Sequence, residues 1–364
     1  MVSDRRLLDI FLRAAALDGR SGRERPVADF VRAFLEPLGF RVVEDDAGKA
    51  GGGNCGNLVA VRGDGGDLML LAHMDTARPT RDVKPRLLDD RVVSDGTTQL
   101  GADCRLGVAA LLRAAERLAA SGSAAGATFA FTVCEETSMA GSQNLRWPAN
   151  VEMAALLDSS LRPGAYIDRG YGCRRFDVAL RGRAAHSGVA PEKGINALAA
   201  AAEAVAASKL GRLDEETTAN IGMFAAGAAI NVVPDRAELV GEVRSIRPER
   251  VDEVVADFRR AFEDAAARRG ARLEFSSRWD FAPYRIAADA PVRRRVLRAL
   301  ESLGLAPSAH TSAGGSDANS LNARGLPAID LGTGAQNPHG DDEFVLFEDM
   351  DATVELALAL IDAR

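Results

Sequence analysis

The sequence predicts an α/β protein: one sheet with helices on both faces, a three-layer α/β/α arrangement, interrupted by a smaller ferredoxin-like α+β domain. Three observations predict it. Short apolar runs end on acids or histidines and alternate with segments of helical period, which places a site beyond the carboxyl ends of the strands. Over about a hundred residues in the middle, the pattern changes to two strand-helix-strand repeats with alternating strands. The 364 residues amount to about two domains' worth of chain.

Taken in order, Leu7, Leu8, Ile10, Phe11, Ala14 and Ala15 have helical spacing, and Pro26 to Leu38 reads as a second helix with its proline in the first turn. Neither is expected to carry chemistry. Asn57 to Val61 and Leu68 to Ala72 read as strands, joined by a glycine-rich turn at Gly63 to Gly66. The second is apolar throughout, as a strand covered on both faces must be, and it delivers His73 and Asp75 beyond its end. Cys104 to Leu118 shows one apolar helical face. Thr128 to Val133 is a strand followed directly by Glu135 and Glu136, and Val151 to Leu157 is another that ends at Asp158. In the middle, Arg175 to Arg181 and Ala237 to Val243 alternate, Ile195 to Lys209 is an alanine-rich helix and Arg250 to Arg269 a long amphipathic one. Val292 to Leu303 returns to helix, and Pro327 to Leu331 to a buried strand that rejoins the first sheet. The expected organisation is a first domain in two parts, 1–173 and 285–364, with an insertion over 174–284.

Composition narrows the function classes. A net charge of −7 argues against a general binder of nucleic acid or anionic membrane, since both need positive surface. No apolar run is long enough to span a bilayer, and Met1 to Arg6 lacks the apolar core of a secretory signal, so the expected compartment is the cytoplasm. Cys55, Cys104, Cys134 and Cys173 form no closely spaced pair and read as free thiols.

The chain has four histidines, His73, His186, His310 and His339, and two of them fall beside acids at what the fold reading makes one sheet edge. A pair of zinc-like ions needs imidazole and carboxylate ligands on each and a carboxylate spanning both. Asp103 could be that bridge, with His73 and Asp158 completing one ion and Glu136 and His339 the other. Two dications, three carboxylates and one hydroxide then sum to zero charge. Asp75, two residues after His73 on the same side of an extended strand, can accept the second imidazole N–H. Glu135 can take a proton from water and return it to a leaving amine.

His73-Met74-Asp75-Thr76, Ser94 to Asp103 (Ser-Asp-Gly-Thr-Thr-Gln-Leu-Gly-Ala-Asp), Glu135-Glu136, Ala185-His186-Ser187-Gly188 with Ala190 to Gly194, Gly315-Ser316-Asp317-Ala318-Asn319 and Asn337-Pro338-His339-Gly340 occur in that order. In these motifs the chain resembles the peptidase T-like branch of the dizinc aminopeptidase, carboxypeptidase and deacylase superfamily, from about Asn57 to its end. The resemblance implies a catalytic α/β domain of the zinc-exopeptidase kind with an inserted lid that dimerises. It makes His73, Asp103, Glu136, Asp158 and His339 the metal ligands, Asp75 the group that orients a ligand, and Glu135 the base. From the lid, His186 would stabilise the oxyanion, in its own subunit or its neighbour's, while Asn231 and Arg244 would hold the substrate's carboxylate or backbone. Gly314 and Gly315 would line the substrate site. The implied reaction is hydrolysis of short peptides by metal-bound hydroxide, with closure of the lid. The alternatives are an N-acyl amino acid amidohydrolase using the same site, and a non-catalytic binder of peptide or metal. Zinc suits the ligands, and cobalt or manganese suit them too.

The chain departs from the family's pattern in places. Cys104 stands where a second Asp or an Asn commonly follows the bridge, Arg105 where Lys is frequent, and Gly340-Asp341-Asp342-Glu343 where Thr-Thr more often follows the histidine. A cis peptide bond is expected after Asp103, and altered hydrogen bonds around the ligands after His339. Cys104 and Cys134 flank the bridge and the base, which leads to an expectation of thiols near the metals and of activity sensitive to oxidation. His310 has no role the resemblance assigns.

Overall fold

The computed structural model describes residues 4–122 and 125–363, which fall into two compact units. Met1 to Ser3, on which the reading of the amino terminus partly rests, lie outside the described residues. The first unit takes the described residues up to Arg169, Arg285–Thr311 and those from Ser316 onward. Its nine-stranded sheet runs Arg41–Glu44, Leu58–Arg62, Ala127–Thr132, Leu68–His73, Met153–Ser159, Ala328–Gly332 and Ala165–Gly170, with two short strands beyond. The four strands from Ala127–Thr132 to Ala328–Gly332 are parallel and nearly all buried, which is why they read as unbroken apolar runs.

Helix Arg5–Ala15 starts where the Asp4 side chain accepts the N–H groups of Arg6 and Leu7, and it buries Leu7, Leu8, Ile10 and Phe11. Helix Ala102–Ala120 packs on Leu68–His73 and Met153–Ser159, with Arg5–Ala15 and Phe347–Asp362 against it. It comes that close because position 107 is glycine: a Cβ there would stand 2.2 Å from the Leu157 carbonyl oxygen. That approach brings the first turn of the helix, with Asp103, to the strand that carries Asp158. The Asp103–Cys104 peptide bond is cis. Among the described residues, no helix is long and apolar enough to cross a membrane.

The second unit comprises Gly170–Tyr284 and Ser312–Gly315. Its antiparallel sheet runs Gly211–Asp214, Thr217–Ala226, Arg236–Ser245, Gly172–Arg181 and Arg272–Phe281. The four long strands and the helices Ala197–Ala207 and Pro248–Arg269 give the ferredoxin-like order, with Gly211–Asp214 added at one edge. Phe176, Val178, Leu180, Leu239, Val243, Phe258 and Phe262 form the core, and Phe176 stacks on Phe275 at 5.7 Å between ring centroids. Gly211–Asp214 reaches along its neighbour only as far as Ala219, so the outer edge of that neighbour beyond Ala219 has no strand beside it among the described residues.

Candidate metal centre

Strand Leu68–His73 ends on a fully buried imidazole. His73 Nε2 lies 3.1 Å from Asp103 Oδ1 and 3.2 Å from Asp158 Oδ1. The other oxygen of the same aspartate, Asp103 Oδ2, lies 3.4 Å from His339 Nε2, which stands 2.9 Å from Glu136 Oε1. One carboxylate therefore faces two imidazoles, and each imidazole nitrogen faces two carboxylates. A single N–H serves two acceptors poorly, whereas donors about 3.3 Å apart are what a tetrahedral ion with bonds of about 2.0–2.1 Å requires. Glu136 Oε1 gives a second sign: it is buried and has no hydrogen-bond partner, although His339 is beside it. The two groups, His73, Asp103, Cys104 and Asp158, and Asp103, Glu136 and His339, each keep their potential ligand atoms within 4.8 Å of one another. Cys104 enters the first group as a thiol whose S–H goes to the Leu157 carbonyl at 2.9 Å.

Buried carboxylates hold the loops that carry these candidate ligands. Asp75 has no accessible surface; Oδ1 accepts the Glu135 N–H at 3.1 Å, and Oδ2 accepts the Glu136 N–H at 3.1 Å and the Ser21 hydroxyl at 2.6 Å. His73 Nδ1 lies 3.1 Å from the Asp75 carbonyl oxygen and 3.4 Å from its Oδ1, so the carbonyl shares the N–H expected for the carboxylate alone. In the neutral ring Nε2 then carries the lone pair, which an ion placed between Asp103 and Asp158 would take; in the protonated ring Nε2–H donates to those carboxylates. Glu24 Oε1 accepts the Cys134 N–H at 3.0 Å, next to Glu135. Asp330 Oδ1 accepts the Ser159 N–H at 3.0 Å, next to Asp158. Glu343 takes the N–H groups of Gly101 and Asp103 at 2.7 and 3.0 Å. The amino-terminal segment, expected to carry no chemistry, thus contributes Ser21 and Glu24, which precede helix Arg25–Leu35. Arg105 is buried too, and donates to the carbonyls of Met74, Leu17 and Gly19.

The electrostatics ask for cations. Burial raises the carboxyls of Glu136 and Asp158 and drives Glu135 well above the usual carboxylate range, with His73 opposing and neighbouring acids adding. Asp103 goes the other way: burial pushes it up, but hydrogen bonds from His339 and His73 outweigh that and hold it low. Burial pushes His73 down, yet Asp158 and Asp103 outweigh it and raise the imidazole well above its ordinary value. The carboxylates of Asp103 and Glu136 beside the ring raise His339 to about 10. Without metal, the surrounding carboxylates favour the protonated form of both rings, in the places where ions would put their charge.

The remaining predicted residues lie in the second unit. Exposed His186 and Asn231 are brought together: Ser187 N–H donates to the Asn231 carbonyl at 3.0 Å, and His186 pairs with Val232 as an isolated bridge. The Gly188 N–H donates to His186 Nδ1 at 3.2 Å, which keeps the ring proton on Nε2. Arg244 is brought to the Ser312–Gly315 segment, where Nη1 donates to the Ala313 carbonyl at 3.3 Å and Gly314 and Gly315 follow. Glu242 already holds Arg244 through two bonds, from Nε at 2.9 Å and from Nη2 at 3.0 Å. His310, on strand Ser308–Ser312 outside this group, pairs its Nε2 with the Ser308 hydroxyl at 2.8 Å.

Comparison with known proteins agrees in kind. Family models for the peptidase dimerisation domain and for peptidase family M28 match residues 171–270 and 57–206. The uncharacterized protein YqjE of Bacillus subtilis is 34% identical, the match covering 100% of this chain and 99% of that one. Aminopeptidase PepT from Bacillus cereus is 33% identical with a TM-score of 0.89, covering 100% of this chain and 99% of that one. A tripeptidase from Staphylococcus aureus is 30% identical with a TM-score of 0.91, covering 99% of this chain and 98% of that one. With motifs, fold and full-length likeness in agreement, the chain belongs to the peptidase T-like family of peptide-hydrolysing enzymes.

Proposed function

We propose that the protein is a two-metal exopeptidase that cleaves short peptides, tripeptides foremost, with Glu135 as general base. The observation that carries this reading is the pair of imidazoles facing the two oxygens of Asp103 at 3.1 and 3.4 Å, with Asp158 and Glu136 completing a donor set for each ion. Two divalent ions held there, zinc by ligand preference and cobalt or manganese by the same chemistry, supply Lewis acidity and lower the pKa of a water. Glu135, beside Glu136 and with a raised carboxyl, is suited to take the water's proton and return it to the leaving amine nitrogen. Asp75 orients His73. His186, with its proton on Nε2, donates to the developing oxyanion. Asn231, Gly314 and Gly315 bind the substrate backbone, and Arg244 its carboxylate, a pairing that guanidinium geometry favours. The relatives named as an aminopeptidase and a tripeptidase support the choice of peptide over N-acyl amino acid.

The proposed working division is a catalytic domain, 1–173 with 285–364, and an inserted domain, 174–284, supported by two compact units that change over near Gly170 and Tyr284. A homodimer through the inserted domain is supported by the dimerisation-domain match and by the open strand edge, where Met223 and Phe224 are 67% and 44% exposed. The test is release of free amino acids from tripeptides, dipeptides and N-acyl amino acids by wild type and Glu135→Gln, with metal content recorded for both. Tripeptide cleavage lost in a variant that keeps two ions is the expected result. Cleavage confined to N-acyl amino acids reassigns the enzyme as an amidohydrolase, and no turnover by metal-loaded wild type overturns the reading.

A further inference from the structure

Glu343 has no accessible surface, although it lies only four residues after the half-exposed His339 in the turn before strand Phe344–Leu346. Its carboxylate is spent on backbone. Oε2 accepts the Gly101 N–H at 2.7 Å and Oε1 accepts the Asp103 N–H at 3.0 Å, in the first turn of helix Ala102–Ala120, where no carbonyl of the helix can reach. From the other side, the Ser94 N–H donates to the Glu343 carbonyl at 2.9 Å. The run Gly340-Asp341-Asp342-Glu343, a departure in the sequence, thus ends in a clamp between two distant stretches of chain.

The clamp is not neutral between the two ions. Of the ligands grouped around His73, His73 and Asp158 stand on strands of the parallel sheet, whose ladder fixes them independently of Glu343. In the other group, Asp103 sits at a helix start and His339 on a loop, with His339 at φ +65°. Glu343 is what ties the backbone of one to the segment of the other. We infer that Glu343 is a positioning residue that sets the spacing between Asp103 and His339, and so governs affinity for the ion shared by Asp103, Glu136 and His339. The inference rests on the two-metal reading above.

The experiment uses full-length protein stripped of metal, with stepwise zinc affinities from competition against a chromogenic chelator and the visible spectrum during cobalt titration. Glu343→Gln keeps the size and one acceptor but presents an amide N–H₂ to a backbone N–H. It is expected to leave the tighter step and the first cobalt spectrum as in wild type, and to weaken the other step about 10–100-fold. Glu343→Asp, which keeps the charge but is too short to reach both N–H groups, is expected to fall between. Asp349→Asn is the control: Asp349 is equally buried and pairs with Arg162 at 3.0 Å, so its loss lowers stability and leaves both affinities unchanged. Equal weakening of both steps by Glu343→Gln, no weakening, or the same loss in Asp349→Asn would overturn the assignment. A wild type that binds only one ion overturns the two-metal reading itself.

Discussion

In the second unit, the residues assigned to one substrate stand far apart. Arg236 and Arg244 lie on one strand, eight residues apart, which is about 26 Å at 3.3 Å per residue. The ladder then continues past Arg236, with the Val233 N–H on the Ala185 carbonyl and the Ser187 N–H on the Asn231 carbonyl, carrying His186 further from Arg244. An extended tripeptide covers about 11 Å. His186 and Arg244 of one subunit therefore cannot hold the same tripeptide, and in a dimer His186 is expected to serve the partner's site. The perturbation is a hybrid of one Glu135→Gln subunit and one His186→Ala subunit, isolated by two different tags after co-expression. Each parent homodimer should lose about 10²–10³-fold in kcat, through loss of the proposed base or the proposed oxyanion donor. In the hybrid, the subunit with intact Glu135 receives an intact His186 from its partner, so one site of two is complete and about half of wild-type tripeptide turnover returns. A hybrid no more active than its parents refutes the reasoning, as does a protein that stays monomeric at assay concentration.

Four further outcomes follow from the side chains. His339 is raised to about 10 and His73 well above its ordinary value, so zinc must displace protons: zinc affinity should rise with pH up to about 10, and calorimetry in buffers of different ionisation enthalpy should register the released protons. By the same sign, charged His339 stabilises the metal-free fold fully below about pH 6.5 and that contribution fades as pH rises toward about 10, read as a falling Tm. Glu242→Gln removes the carboxylate that competes for Arg244, so KM for tripeptides should fall several-fold with kcat unchanged, while C-terminally amidated peptides show no change. Cys134 is buried and its thiol is pushed up to about 12 by burial, so its alkylation in the folded protein at pH 8 should be about a thousandfold slower than that of free cysteine; modification at the free rate would restore the oxidation-sensitive expectation.

The central strands were legible because a strand buried on both faces admits little but apolar residues, and their ends were legible because His73, Glu136 and Asp158 interrupt those runs. Elements without a period left no trace. Arg86–Leu87, Arg91–Val93 and Phe344–Leu346 form a three-stranded sheet from pieces too short to alternate, and Thr217–Ala226 lost its alternation because its outer half is exposed. The carboxylates that hold the loops were harder still. Their partners are backbone N–H groups, which every residue but proline carries, so no residue type marks the other end of the bond. Asp75 was read from its place two residues after His73, and Asp330 gave a second readable sign, an acid inside the apolar strand Pro327 to Leu331 where a solvent-free position calls for an apolar side chain.

That concentration of buried acid says something about folding as well as chemistry. Asp75, Asp103, Glu135, Glu136 and Asp158 crowd two imidazoles, and Glu24, Asp330 and Glu343 stand behind them, all of the last three raised by burial. No packing benefit accounts for so many carboxylates removed from water, since replacing buried charge by apolar groups is commonly neutral or stabilising. The carboxylates behind the site fix ligand loops in place before any ion arrives, and the free energy this costs the metal-free fold is recovered when positive charge enters. Metal binding and stability are then one linked equilibrium: each ion should raise the free energy of unfolding by RT ln(1 + [M]/Kd), about 2.7 kcal/mol at a hundredfold excess over Kd. Under the two-metal reading proposed above, the same preorganisation that makes the metal-free site acidic and costly would make it selective for a pair of ions at a fixed spacing.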